Sequence, residues 1–241
     1  MLGRFLEIGI QTKDIRASVE FYERLGFTQA QTGDTWAHPY GVLTDGRVYL
    51  GLHQARLDSP ALTFVRPGIA SHLAALERAG IEPVSVNIGG EAFNEILFHD
   101  PAGQAVRLLE ARTYSPADRS ALDTSRCGEF GWLSTPAADF DPVRSFWEAL
   151  GLTAADEDAH PFPHVLLSGE GLDLALHRPR FFAEPLLIFR DVEMAARIAR
   201  LRELGFGSLQ APPRGLDARA NAVLTAPEGT ALLLLQGTGT P

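Results

Sequence analysis

The sequence predicts an α+β fold made of four βαβββ modules arranged in two pairs. Three observations predict it. Four helical patterns each end at a glycine flanked by apolar residues: Leu25-Gly26-Phe27, Ala79-Gly80-Ile81, Leu150-Gly151-Leu152 and Leu204-Gly205-Phe206. A short apolar strand precedes each helix, and strand-like runs follow it. The second half also repeats the first: VYLGLHQ, from Val48 to Gln54, returns as LDLALHR, from Leu172 to Arg178. Self-similarity at a fixed spacing marks a duplicated supersecondary unit.

The opening strands are FLEIGIQ, ALTFV, EFGWLS and PLLIF. In the first helix Ile15, Val19, Tyr22 and Leu25 fall on one face, and in the second Ile69, Leu73 and Leu76 do the same. DPVRSFWEALGL offers Asp141 as N-cap with Pro142 at the first helical position, and DVEMAARIARLRELGF offers Asp191 as N-cap. The glycine closing each helix suits the left-handed turn that ends a helix. Hairpins follow around Asp45-Gly46, Asp100-Pro101-Ala102-Gly103, Gly169-Glu170-Gly171 and Ala226-Pro227-Glu228-Gly229.

The bulk properties exclude several classes. A chain of 241 residues that is 45% hydrophobic can build one large core or two smaller ones. A formal charge of -9 argues against nucleic acid or an anionic membrane as partner, because either needs a basic face. The single cysteine, Cys127, allows no internal disulfide and reads as a buried small residue. The start MLGRFLEIGIQ has no signal-peptide pattern, and no apolar run approaches the roughly 20 residues of a membrane span. A cytoplasmic protein is expected. There is no P-loop, Rossmann glycine pattern, HExxH or G-x-S-x-G.

The stretches EIGIQTKDIRASVEFYERLGF and FHDPAGQAVRLLE, with four modules in two pairs over roughly residues 5–236, resemble the vicinal oxygen chelate superfamily. That superfamily includes glyoxalases, extradiol dioxygenases and bleomycin-resistance-type binding proteins. The resemblance implies that each pair of modules curls into an incomplete barrel whose concave face holds the ligand. It predicts two glyoxalase-like half-barrel domains. The first spans 1–112, with modules 1–54 and 60–112. The second spans 127–241, with modules 127–178 and 184–237. The polar segment 113–126 is expected to link them.

Enzymes of the superfamily hold a divalent metal through a His or Glu in the first strand of each module and a Glu in the last. The resemblance places Glu7, Gly51, Ala61 and Arg107 at those positions in the first half. Glu7 is a carboxylate, Gly51 has no side chain, and Arg107 is a cation. In the second half Glu129 opens EFG as Glu7 opens EIG, and Ala175, Pro185 and Leu233 follow. At most one usual ligand survives in each half, so no metal and no cofactor are expected. An ion pair of Glu7 with Arg107 is expected where the metal would lie, if both face the cavity; the alternative takes Arg107 to the rim.

Strand alternation adds the remaining candidates. Tyr49, Gly51 and His53 share one face, and Asp173, Ala175 and His177 share the corresponding one. Three readings of the histidines stand open: two-ligand metal remnants with Glu7 and Glu129, general bases, or strand ends bonded to nearby carbonyls. Trp36, His38 and Tyr40, with His160, Phe162 and His164 as their echo, are expected to form loops over the cavity mouths. His72 and His99 lack neighbours that imply chemistry. No residue is assigned as catalytic.

The function expected is metal-independent binding of a small, partly apolar molecule in a concave cavity, by a monomer or homodimer. Two alternatives accompany it. One is a divalent-metal-dependent lyase, isomerase or dioxygenase with an altered ligand set. The other is a structural protein whose cavities are filled, with Leu233 and Leu235 closing the second one.

Overall fold

The computed structural model describes residues 2–31, 36–89, 94–110, 124–207 and 209–237. All four modules form. The first runs β1 (Arg4–Gln11), α1 (Ile15–Arg24), β2 (Thr28–Ala30), β3 (Tyr40–Thr44) and β4 (Tyr49–His53). The second runs β5 (Ala61–Arg66), α2 (Ile69–Arg78), β6 (Ser85–Asn87), β7 (Glu95–His99) and β8 (Ala105–Glu110). The third is β9 (Glu129–Pro136), α3 (Phe140–Leu150), β10 (Thr153–Ala154), β11 (His164–Gly169) and β12 (Leu172–His177). The fourth is β13 (Leu186–Asp191), α4 (Met194–Glu203), β14 (Leu209–Gln210), β15 (Ala222–Thr225) and β16 (Ala231–Gln236).

Each pair of modules makes one eight-stranded sheet, in the order β2-β3-β4-β1-β5-β8-β7-β6 and β10-β11-β12-β9-β13-β16-β15-β14. The two orders are the same order. The opening strands of paired modules meet antiparallel at the centre, and each is flanked by the last strand of its own module in parallel. A parallel neighbour needs a long crossover, which the helix supplies. The expected linker 113–126 lies outside the described residues as far as 123.

The helices begin and end for local reasons. Asp14 caps α1 by accepting from the Ala17 N–H at 3.1 Å. The N-cap of α3 is Asp139, not Asp141: its carboxylate accepts from the Asp141 N–H, and the helix starts two residues earlier than expected. Asp191 is not the cap of α4 either. It ends β13, where its carboxylate takes the Glu193 N–H at 2.7 Å and Arg197 at 2.6 Å, and Glu193 is the N-cap. Gly26, Gly80, Gly151 and Gly205 all have positive φ, between 78° and 105°, so the helix-closing glycines are there for the left-handed turn.

One continuous apolar core joins the helix-bearing sides of both sheets. Ile8, Ile10, Leu50, Leu52 and Leu62 of the first sheet belong to it, and so do Leu133, Leu174, Leu176 and Leu187 of the second. Aromatic contacts cross between the halves: Phe21 with Phe206 at 5.7 Å, Phe27 with Phe189 at 6.2 Å and Phe98 with Phe146 at 6.2 Å. The last hairpin of each half also reaches the other. Asp100 Oδ2 accepts from the Trp147 indole N–H at 3.0 Å, and Glu228 accepts from Tyr22 Oη at 2.7 Å and Ser18 Oγ at 2.9 Å. Among the described residues no helix is long and apolar enough to cross a membrane.

Candidate ligand-binding site

Alternation leaves one face of each sheet away from the helices, and register decides which side chains meet there. In the first half Glu7 pairs with Thr63, Thr63 with Arg107, and Arg107 with Leu97. Gly9 pairs with Gly51 and Ala61, and Tyr40 with His53. This face is polar and buried: Glu7 is 1% exposed, His53 1%, Thr63 0% and Arg107 5%.

The centre of the site is the Glu7 carboxylate. A β-carbon built on Gly51 would lie 2.3 Å from Glu7 Cδ and Oε2 and 2.4 Å from Oε1. The carboxylate therefore occupies the volume that any other residue at position 51 would need. Tyr40 Oη donates to Glu7 Oε2 at 2.5 Å. His53 Nε2 lies 3.2 Å from Glu7 Oε1, and its Nδ1 lies 3.0 Å from His38 Nε2. A hydrogen-bonded chain thus runs from a buried carboxylate through His53 to His38 on the partly exposed loop. Burial, then the neighbouring His53 and Arg107, holds His38 below the ordinary imidazole value. Trp36 stands edge-on to His53 at 5.2 Å, and Tyr40 lies 4.6 Å from the same ring. Trp36 and His38, on the segment before β3, and Tyr40, its first residue, all pack their rings against His53 on this face.

The ion pair expected between Glu7 and Arg107 does not form. Arg107 Nε instead bonds Glu95 Oε1 at 2.7 Å, on the neighbouring strand β7, and the guanidinium sits 5.0 Å over the Trp36 ring. Glu7 is already held by Tyr40 and His53. Thr63 and Glu95 are site residues that the sequence reading missed. The signal for Thr63 was a lone polar residue inside the apolar strand ALTFV, two positions from Ala61 on the same face. Tyr49, at the end of β4, is partly exposed.

The second half has the same frame with opposite chemistry. Trp132 pairs with Ile188, and Ile188 with Leu233, so these stand where Glu7, Thr63 and Arg107 stand. Glu129 is thus not the counterpart of Glu7. It occupies the level of Arg4, is 61% exposed at the side chain, and pairs with Arg47 at 3.4 Å. Leu186, not Pro185, holds the level of Ala61, as Ser134 pairs with it where Gly9 pairs with Ala61. Trp132, Phe162, Ala175, Leu186, Ile188, Leu233 and Leu235 form a separate apolar cluster that fills this face. Phe162 and His164 are buried in it or against it: His164 stacks on Trp132 at 5.8 Å. They are not a loop over an open mouth, and His160 is 94% exposed at its side chain.

His177 matches His53 in register but not in role. Its Nδ1 accepts from Ser134 Oγ at 2.7 Å, and its Nε2–H donates to the Phe182 carbonyl at 3.0 Å. Burial pushes it down to about 4, so it is a neutral, strand-end histidine bonded to a carbonyl. Asp173 pairs with Ser168 at the hairpin end, partly exposed.

Solved structures with this arrangement are numerous. A catechol 2,3-dioxygenase is 17% identical, with 96% of this chain and 86% of that one covered and a TM-score of 0.61. Homoprotocatechuate 2,3-dioxygenase from Arthrobacter globiformis is 15% identical, covering 96% and 79%, with a TM-score of 0.62. A Mn(II)-bound glyoxalase from Novosphingobium aromaticivorans is 15% identical, covering 96% and 81%, with a TM-score of 0.56. The chain has the fold of these dioxygenases and of that glyoxalase. No family model matches the sequence, and no curated protein matches it.

The metal of the vicinal oxygen chelate enzymes can be tested against the residues present. The four expected positions carry Glu7, Gly51, Ala61 and Arg107. Glu7 and His53 are the two donors brought together, and they are spent on each other. A divalent ion needs three or four converging donors. Among the described residues no group of three or more His, Cys, Asp or Glu side chains converges in this way. This donor set does not fit such an ion.

Proposed function

We propose that the protein is a glyoxalase/bleomycin-resistance-like binding protein. It holds a small, partly apolar molecule on the concave face of its first half, without a metal, in the cytoplasm. The observation that carries this reading is the Glu7 carboxylate seated over Gly51 in bonds from Tyr40 and His53. That arrangement uses the space and the donor that metal coordination would require. The partly exposed Trp36, His38 and Tyr40 give the ligand its approach and an aromatic wall. The second half is mainly structural in this reading, because its concave face is filled by its own side chains.

A second reading is favoured by the chain Glu7, His53, His38. A carboxylate that orients one imidazole, which in turn bonds another near the surface, is suited to moving a proton. In that reading the protein is a metal-free acid–base catalyst, with His38 as the group that meets the substrate.

Elemental analysis of protein purified without a metal-affinity tag tests the first claim. Less than about 0.1 metal per chain is expected, and stoichiometric Fe, Mn, Zn or Ni overturns it. Thermal shifts against aldehydes, catechols and planar antibiotics test ligand binding, and conversion of a bound probe would favour the second reading.

A further inference from the structure

Two buried polar atoms on the first concave face have no hydrogen-bond partner among the described residues: Arg107 Nη1 and Thr63 Oγ1. They belong to residues that pair directly across β5 and β8 and so share one face of the sheet. A buried polar atom left alone loses its bonds to water without replacement, so an unmet pair is informative. The arginine is otherwise fully placed, with Nε on Glu95 at 2.7 Å and its carbon 5.0 Å over the Trp36 ring. Thr63 Oγ1 lies 3.6 Å from where a β-carbon on Gly9 would be, on the face that Gly9 leaves without a side chain. The corresponding residues of the second half, Ile188 and Leu233, are apolar, so the frame does not require this pair.

Both atoms can donate, and what they lack is an acceptor. The fixed charges decide its kind. Glu95 already pairs with the single guanidinium of Arg107, and Glu7 is a second carboxyl group on the same face, bonded to Tyr40 and His53. A ligand carboxylate would be a third carboxyl group in a buried place, which burial disfavours. A neutral oxygen accepts the same two bonds without adding charge.

We infer that this face takes a neutral oxygen of its ligand, a carbonyl or a phenol, between Arg107 Nη1 and Thr63 Oγ1. The inference rests on the reading that the first half binds a small molecule. The ring bearing that oxygen then packs toward Trp36, Tyr40 and His53.

The test uses the intact chain and three probes of one size: acetophenone, ethylbenzene and benzoate, titrated by NMR while the Trp36 indole and Thr63 methyl signals are followed. Acetophenone is expected to bind about tenfold more tightly than ethylbenzene or benzoate. Thr63→Val and Arg107→Lys are each expected to remove about that preference, read as the ratio of acetophenone to ethylbenzene affinity within each variant. The valine is close to isosteric and the lysine keeps a charge beside Glu95, and the wild-type preference stands as a readout that needs neither variant. Equal binding of acetophenone and ethylbenzene overturns the inference and leaves the binding reading intact. Tighter binding of benzoate also overturns it, in favour of an anion site. Binding by none of the three removes the reading and the inference together.

Discussion

The carboxylate of Glu7 lies directly over the α-carbon of Gly51, 2.3 Å from the place where a β-carbon would be. The glycine is thus the condition for the hydrogen bonds from Tyr40 and His53. Gly51→Ala is expected to expel the carboxylate and cost about 1–3 kcal/mol, the usual range for overpacking a filled core. Urea denaturation measures it, and a change under about 0.5 kcal/mol would show that the carboxylate yields freely.

His177 sets an acid limit on stability. Its folded value is about 4 against an ordinary 6.5, so the unfolded chain binds the proton first as pH falls. The contribution is present above pH 6.5 and lost as pH drops toward 4, by roughly 3 kcal/mol in all. Asp100 and Asp45 act with the opposite sign, since burial raises both. His177→Gln should therefore lower stability at pH 7 and flatten its fall between pH 6.5 and 4, read from denaturation midpoints at each pH. A variant whose slope matches the wild type would refute the assignment.

The contact from Trp147 to Asp100 binds the two halves into one unit. Trp147→Phe removes the donor to a buried carboxylate oxygen and trims a fully buried ring, for an expected loss of about 2–4 kcal/mol. Tyr22→Phe, at the reciprocal contact with the partly exposed Glu228, is expected to cost about 1 kcal/mol. Because the core is continuous, both variants should still unfold in one transition by circular dichroism and fluorescence. Two separated transitions would mean the halves fold independently.

Cys127 should be inert in the folded protein. It is 0% exposed, and burial, with Asp45 nearby, pushes its thiol up to about 12. The thiolate fraction at pH 8 is then on the order of one part in 10,000. Labelling with Ellman's reagent is expected only on unfolding, and rapid stoichiometric labelling in native buffer would contradict the burial.

Much of the frame was legible along the chain because its signals are local. Period-2 runs such as VYLGLHQ fix which residues share a face. Glycines after apolar helices fix where each helix stops. The duplication needed no contact at all to be seen. The helix starts were less secure, since Asp139 and Asp141 both precede the same turn and only backbone geometry selects between them.

The site was legible in part. His53, Gly51, Glu7, Trp36, His38 and Tyr40 were placed together by alternation and by the repeat, and they do meet. The partners of Arg107 and the counterpart of Glu7 were not. The sequence match EIG/EFG is three residues out of step with the structural repeat, in which Arg4 corresponds to Glu129 and Glu7 to Trp132, so Trp132 rather than Glu129 faces inward. A shift of this kind changes which face a side chain occupies, and it is fixed by pairing with a strand about 60 residues away in the chain. The sequence by itself determined the modules, their pairing and the shared face of runs such as Tyr49, Gly51 and His53, since these follow from local periodicity. Only the tertiary structure decided that one concave face is polar and the other filled, because that depends on which side chains register brings side by side.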